Sequence, residues 1–277
     1  MTVPTIHPTA TIEGDVELAD DVLLGPRCTI TGPVKIGAGT RAIGDVWIHG
    51  PTTIGEGNII YPYTTIGFAP QARNYDTFER GPGVLIGDRN TLREHVTVNR
   101  AMTETRPTTI GDDNYIMAQC HAGHDVVIGN NTTLANSVHL GGHAVIEDLA
   151  TLGGASNVHQ FVRIGHGAML SGAVGTTRDV LPWFTVTATN VAASLNLVGM
   201  RRQGLTSDEI DSVRWVFKTI NRRGLSLPAA IEEVRIRHNG GEQPVLGRLL
   251  EFLESAERPI CTAFNRAARS GYEVNKT

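Results

Sequence analysis

The chain of 277 residues has a formal net charge of -4, is 40% hydrophobic and 19% charged, and holds 31 glycines but only 5% aromatic residues. That length suits one large domain or two smaller ones, and that balance suits a water-soluble protein whose core is made of small and β-branched side chains. A slightly acidic total excludes nucleic acid as the expected main partner.

The start, Met1-Thr2-Val3-Pro4-Thr5-Ile6-His7-Pro8, lacks the basic stretch and apolar run of a signal peptide. No apolar run approaches the ~20 residues of a membrane span. Cys28, Cys120 and Cys261 form no CxxC pair and leave an odd count, which speaks against a disulfide framework. These features predict a cytoplasmic protein that does not span a membrane.

From Ile6 onwards aliphatic residues recur every sixth position: Ile12, Leu18, Leu24, Ile30, Ile36, Ala42, Ile48, Ile54, Ile60 and Ile66. Four residues after most of them stands a small or β-branched residue, such as Val22, Cys28, Val34 or Thr40. The pattern resumes at Ile86, skips a unit after Val98, and runs unbroken from Ile110 through Ala122, Leu140, Val158 and Leu170. Helices repeat at 3.6 and strands at 2, so neither explains a period of six. Hexad repetition predicts a parallel β-helix, with one hexad per face of a triangular prism and about eighteen residues per coil. Glycine and asparagine are expected at its corners.

Two polar, proline-containing stretches interrupt the hexads, near 68–85 and 101–108. They read as loops ejected from the stack, and loops carry function more often than scaffold does.

After Pro182 the pattern turns helical, which divides the chain into 1–188, the β-helix with its loops, and 189–277, a small helical domain. Asn190 to Arg202 reads as the first helix. Thr206-Ser207-Asp208-Glu209 reads as a capping box opening a second, to about Arg223. Pro228 to about His238 and Val245 to Ala256 suggest two more.

Six of the ten histidines lie between His121 and His166. At about eighteen residues per coil, His121 stacks under His139, His124 under Gly142 and Gln160, and Asp125 under His143 and Phe161. His124, Asp125 and His143 fall off the aliphatic positions and are expected to project outwards. A neutral histidine can take a proton from a hydroxyl, an adjacent carboxylate can fix its tautomer, and an unobstructed amide at Gly142 can donate to an oxyanion. No nucleophile motif is evident, and Cys120 falls on an inward position. Direct acyl transfer from a thioester is the simplest chemistry.

Metal binding is the rival reading of a histidine cluster. HExxH is absent, and a zinc site on such a prism would want histidines two coils apart in one column. The positions two coils beyond His121, His124 and His139 are Asn157, Gln160 and Gly175. No metal is therefore expected.

The segments His121-Ala122-Gly123-His124-Asp125, Gly141-Gly142-His143, Val158-His159-Gln160-Phe161 and Gly199-Met200-Arg201-Arg202 resemble the UDP-N-acetylglucosamine acyltransferases that begin lipid A biosynthesis. The resemblance covers nearly the whole chain, including the loop after the eleventh hexad. It implies a homotrimer of left-handed parallel β-helices with active sites between subunits. It also implies transfer of a 3-hydroxyacyl group from acyl carrier protein, through its phosphopantetheine arm, to the sugar 3-hydroxyl, without a cofactor. By this resemblance His124 is the general base, Asp125 its partner and the Gly142 amide the oxyanion donor. Gln71, His121, His143, His159, Gln160 and Asn196 are implied substrate contacts, Arg202 meets the diphosphate, and Gly172 leaves the acyl groove long. Basic residues near the helices would meet the acidic carrier protein.

The family pattern is broken at four places: Ala72 stands for an aspartate, Asn99 for a histidine, Val198 for an acidic residue and Gln203 for an arginine. The catalytic residues match better than the sugar-nucleotide contacts. A second reading is thus a related acyltransferase that uses another nucleotide sugar, such as a 3-amino sugar, or acyl-CoA. A third is a prism serving only as a binding scaffold.

Overall fold

The computed structural model describes residues 4–222, 224–241 and 243–264. The hexads wind into a parallel β-helix whose short strands form three sheets of eleven, nine and eight members. Neighbours within a sheet come from successive coils. His121 pairs with His139 and Ala122 with Leu140, one coil apart, and His139 pairs in turn with Asn157.

The sixth-residue aliphatics fill the prism: Ile30, Ile48, Ile60 and Ile66 are fully buried, and so are Val22, Cys28 and Val46 four residues further on. Burying each isoleucine contributes roughly 1.5–3 kcal/mol. Ile6 and Ile12 stay exposed at the end of the stack, where among the described residues no further strand pairs beyond theirs. Along one edge the inward position is polar, and a ladder satisfies it. Asn58 Oδ1 accepts from the Asn90 amide, Asn90 Oδ1 from Asn114, and Asn114 Oδ1 from Thr132. Each buried side chain thus pairs with a corner amide that the sheets leave free.

The corners depart from expectation. Many hold neither glycine nor asparagine, yet adopt left-handed backbone: Asp125, His143 and Phe161 have φ of 60°, 61° and 63° in one column. Ladder bonds on both sides hold them there, with His143 N donating to His124 O and Phe161 N to Gly142 O. Such strain persists only where the surroundings over-determine it.

Both interruptions are loops on the outside of the stack. Arg100 pins the first: its guanidinium donates to the carbonyls of Gly67 (3.1 Å), Thr77 (2.7 Å) and Glu79. Arg80 adds a bond to Gly32 O.

The helix expected over Asn190 to Arg202 forms only in its second half, Leu197–Arg202, and the first half is strand. Val191–Leu195 pairs antiparallel with Phe184–Ala188, so the sheet continues past residue 188. Ala192 packs inside, and helix begins only after Asn196, whose side chain accepts from Gly199 N. Among the described residues four helices follow: α1 (Leu197–Arg202), α2 (Ser207–Ile220), α3 (Leu227–Asn239) and α4 (Pro244–Glu254). The Thr206–Glu209 capping box is present and starts α2; the expected endpoint near Arg223 lies outside the described residues. The helices lean on the prism through Arg163, whose guanidinium stacks on Phe252 at 3.7 Å and donates to Phe252 O. Cys261 N returns the chain to Asp179 O at 2.7 Å. No described helix is long and apolar enough to cross a membrane.

Candidate active site

His124 and Asp125 share one corner between two faces of the prism. Their separation is short, with His124 Nδ1 2.8 Å from Asp125 Oδ2. The carboxylate accepts, so Nδ1 carries the proton and the lone pair of the neutral ring lies on Nε2. Above it is Gly142: a Cβ built there would lie 2.6 Å from His124 Nε2. The Gly142 amide donates to no backbone carbonyl, whereas Gly141 N and His143 N both do. A bare corner amide recurs on other coils; this one is set apart by the imidazole beside it.

Asp125 corrects an expectation. It leaves the prism as foreseen but is buried, at 1% exposure, because the second loop folds over it. Oδ1 accepts from the amide (3.1 Å) and hydroxyl of Thr103, and Oδ2 from the Met102 amide at 3.0 Å. Burial by itself would raise the carboxyl. The bonds from Thr103, His124 and Met102 outweigh it and hold Asp125 below the ordinary carboxylate range. A group depressed in this way stabilises the fold above its unfolded pKa of about 3.9, and the contribution is lost as pH falls through the folded value. The urea midpoint of the protein should therefore drop on acidification below about pH 4, and Asp125→Asn should lack that increment of the drop.

His143 flanks the pair. Its ring stands edge-on to His124 (centroids 5.1 Å apart) and stacks on Phe161 at 4.5 Å. Burial lowers its pKa, with His124 and Arg106 acting in the same sense against Asp125. His121 is also lowered by burial, helped by His139 and His124, and its Nδ1 meets Thr97 Oγ1 at 2.7 Å. These rings stay neutral to lower pH than an exposed histidine.

His124, Asp125 and His143 also place ligand atoms all within 4.8 Å of one another, close enough for an ion. All four lone-pair directions of the carboxylate already accept hydrogen bonds. A metal bound to the carboxylate would have to displace at least one of them, so the geometry favours a hydrogen-bonded dyad. Cys120 is buried and its thiol is pushed up to about 11 by burial, which suits packing and not nucleophilic attack.

A cavity of about 530 Å³ opens over the dyad. It gathers Gln71 from the first loop with His121, His124, Gly142, His159 and Gln160 from three coils. Asp125 and His143 stand behind this wall. Gly172, Asn196 and Arg202 do not line it. Asn196 is engaged as the cap of α1 and donates to Gly167 O at 3.0 Å, on another edge of the prism. Arg202 is exposed on α1.

Several contributors escape a reading of hexads. His139 and Asn157 line the cavity, and the register arithmetic that stacked His139 on His121 was a sufficient signal. Thr103 and Met102 sit in a loop without period, so nothing in the sequence ties them to Asp125. Two of the positions that break the family pattern have internal partners. Asn99 donates to Ala69 O at 3.0 Å, which seats the first loop, and Gln203 accepts from Trp183 Nε1 at 2.9 Å.

Comparison with known proteins identifies the family and the fold. Residues 179–261 match the family model described as UDP N-acetylglucosamine O-acyltransferase, domain 2, and residues 107–142 the bacterial transferase hexapeptide model of six repeats. The acyl-(acyl-carrier-protein)-UDP-N-acetylglucosamine O-acyltransferase of Thermodesulfovibrio yellowstonii is 42% identical over 92% of this chain and 98% of its own. The UDP-N-acetylglucosamine acyltransferase structure from Francisella novicida superposes with a TM-score of 0.89 at 33% identity, covering 93% of this chain and 94% of that one. The Campylobacter jejuni structure gives 0.86 at 34% identity, covering 93% and 99%.

Proposed function

The chain belongs to the acyl-(acyl-carrier-protein)-UDP-N-acetylglucosamine O-acyltransferase family, and on that footing we propose how its corner of the prism does the chemistry. It transfers a 3-hydroxyacyl group from the thioester of acyl carrier protein to the 3-hydroxyl of UDP-N-acetylglucosamine, the opening reaction of lipid A biosynthesis. The observation that carries the mechanism is the His124 imidazole, bonded to Asp125 through Nδ1 and packed with Nε2 so close to Gly142 that a Cβ there would lie 2.6 Å away.

The sugar hydroxyl gives its proton to His124 Nε2 as its oxygen attacks the thioester carbonyl carbon. Asp125 steadies the imidazolium that forms and does not itself take the proton. The carbonyl oxygen becomes an oxyanion and accepts from the Gly142 N–H. Collapse breaks the carbon–sulfur bond, and the imidazolium returns its proton to the leaving pantetheine thiolate. Gln71, His121, His159 and Gln160 contact the substrates around this point, and His143, expected among them, backs the wall from behind. No cofactor beyond the carrier's own pantetheine arm takes part in these steps.

The working unit is a homotrimer with sites between subunits. In a single chain Gly172, Asn196 and Arg202 stand away from the cavity, and an adjacent subunit can bring their counterparts to it. There Arg202 meets the diphosphate and Gly172 borders the acyl groove. A cytoplasmic setting suits three buried free thiols.

The test is to incubate the purified protein with UDP-N-acetylglucosamine and a panel of 3-hydroxyacyl carrier proteins, with mass spectrometry of the products. A gain of one hydroxyacyl group, lost when carrier protein is replaced by acyl-CoA, is the expected result, and light scattering should give three times the chain mass. Transfer only to a 3-amino sugar or another nucleotide sugar would reassign the acceptor, and silence with every acceptor would sink the reading.

A further inference from the structure

The second loop does not simply shelter the dyad. We propose that Thr103 is a positioning residue for the reaction, holding the Asp125 carboxylate so that Oδ2 serves His124 and not His143.

The two histidines compete for one oxygen. Oδ2 lies 2.8 Å from His124 Nδ1 and 3.7 Å from His143 Nε2. A carboxylate on a short side chain can rotate to satisfy either. Thr103 prevents that from the opposite oxygen, binding Oδ1 through both its amide and its hydroxyl, while the Met102 amide fixes Oδ2 at 3.0 Å. The far end of the same loop completes the clamp, because Thr108 Oγ1 receives the Asp125 amide at 2.8 Å. The left-handed backbone of Asp125, φ 60°, is thus held from both ends by residues that do not line the cavity. Hydrogen bonds to an ionised carboxylate are strong, and removing one is felt by its partner.

The inference rests on His124 being the base. Thr103→Val keeps the shape and the amide but removes the hydroxyl, and kcat should fall about 10- to 100-fold with KM for the sugar nucleotide unchanged. A carboxylate that has lost a donor is more basic and stabilises a protonated partner more strongly. The acid limb of the kcat/KM profile should therefore move upward. The other ionisable groups facing the pair are His121 and His143 from the prism and Arg106 from the loop, and the substitution leaves all three in place. Thr103→Ser should restore both the rate and the limb.

A valine variant with wild-type kcat and an unmoved acid limb would overturn the proposal. So would a serine variant as slow as valine, or a lowered melting temperature with an unchanged profile, since each points to packing alone. Wild-type protein that fails to acylate any acceptor would remove the premise, a separate failure visible before any variant is made.

Discussion

His124→Ala should fold and bind normally yet transfer acyl groups at least about 1,000-fold more slowly than the parent enzyme, the scale of a lost general base. Folding is spared because the imidazole lies outside the packed interior, on the cavity wall. The hexad core beneath it, with Ala122, Val126 and Ile128 buried, does not depend on the ring. Turnover is not spared, because a sugar hydroxyl is a poor nucleophile near neutral pH without a proton acceptor beside it. His143 is no substitute: its Nε2 is turned towards Asp125 at 3.7 Å, and its face is covered by Phe161. Steady-state kinetics with circular dichroism on the same preparation would decide the matter. A folded variant keeping more than about a tenth of wild-type kcat would mean that another group takes the proton.

Gly142→Ala should cost about 100- to 1,000-fold in kcat with only a modest loss of stability. This glycine is needed for room and not for backbone freedom. Its φ is not in the left-handed region, so alanine can adopt the conformation. The added Cβ would sit 2.6 Å from both Nε2 and Cε1 of His124, closer than nonbonded carbon and nitrogen approach. The ring must swing off Asp125, or the coil must shift, and either separates the base from the oxyanion donor. Gly167 makes a useful contrast. It has φ +60° and lies on another edge, so Gly167→Ala should lower stability with little effect on catalysis. A Gly142→Ala variant with near-normal kcat would show that the oxyanion is held elsewhere.

Much of the site was legible before any coordinates. In a solenoid, residues one coil apart are neighbours, so sequence separation converts directly into distance. That is why His124 beneath Gly142, His121 beneath His139 and Asp125 beneath His143 could be placed by counting, and why Cys120 could be placed inside. The helical end was legible only where local signals are strong. The Thr206 capping box and the proline-started helices α3 and α4 were found, but Val191–Leu195 was misread as helix. Its alanines and leucine are compatible with either state, and the partner strand Phe184–Ala188 decided the outcome.

What the amino-acid sequence alone determined is the β-helix, its register and the placing of His124 beneath Gly142. A six-residue period sustained over this many units leaves no other way to bury the aliphatic side chains, and burial dominates the folding free energy. What only the tertiary structure decided is the surroundings of that pair. Asp125 is sealed by Met102 and Thr103, Gln71 is delivered by a loop that Asn99 and Arg100 tie down, and Asn196 and Arg202 sit away from the cavity. Loops and chain ends have no repeating pattern. They settle wherever unpaired backbone and buried charge find partners, and those partners exist only once the prism is built.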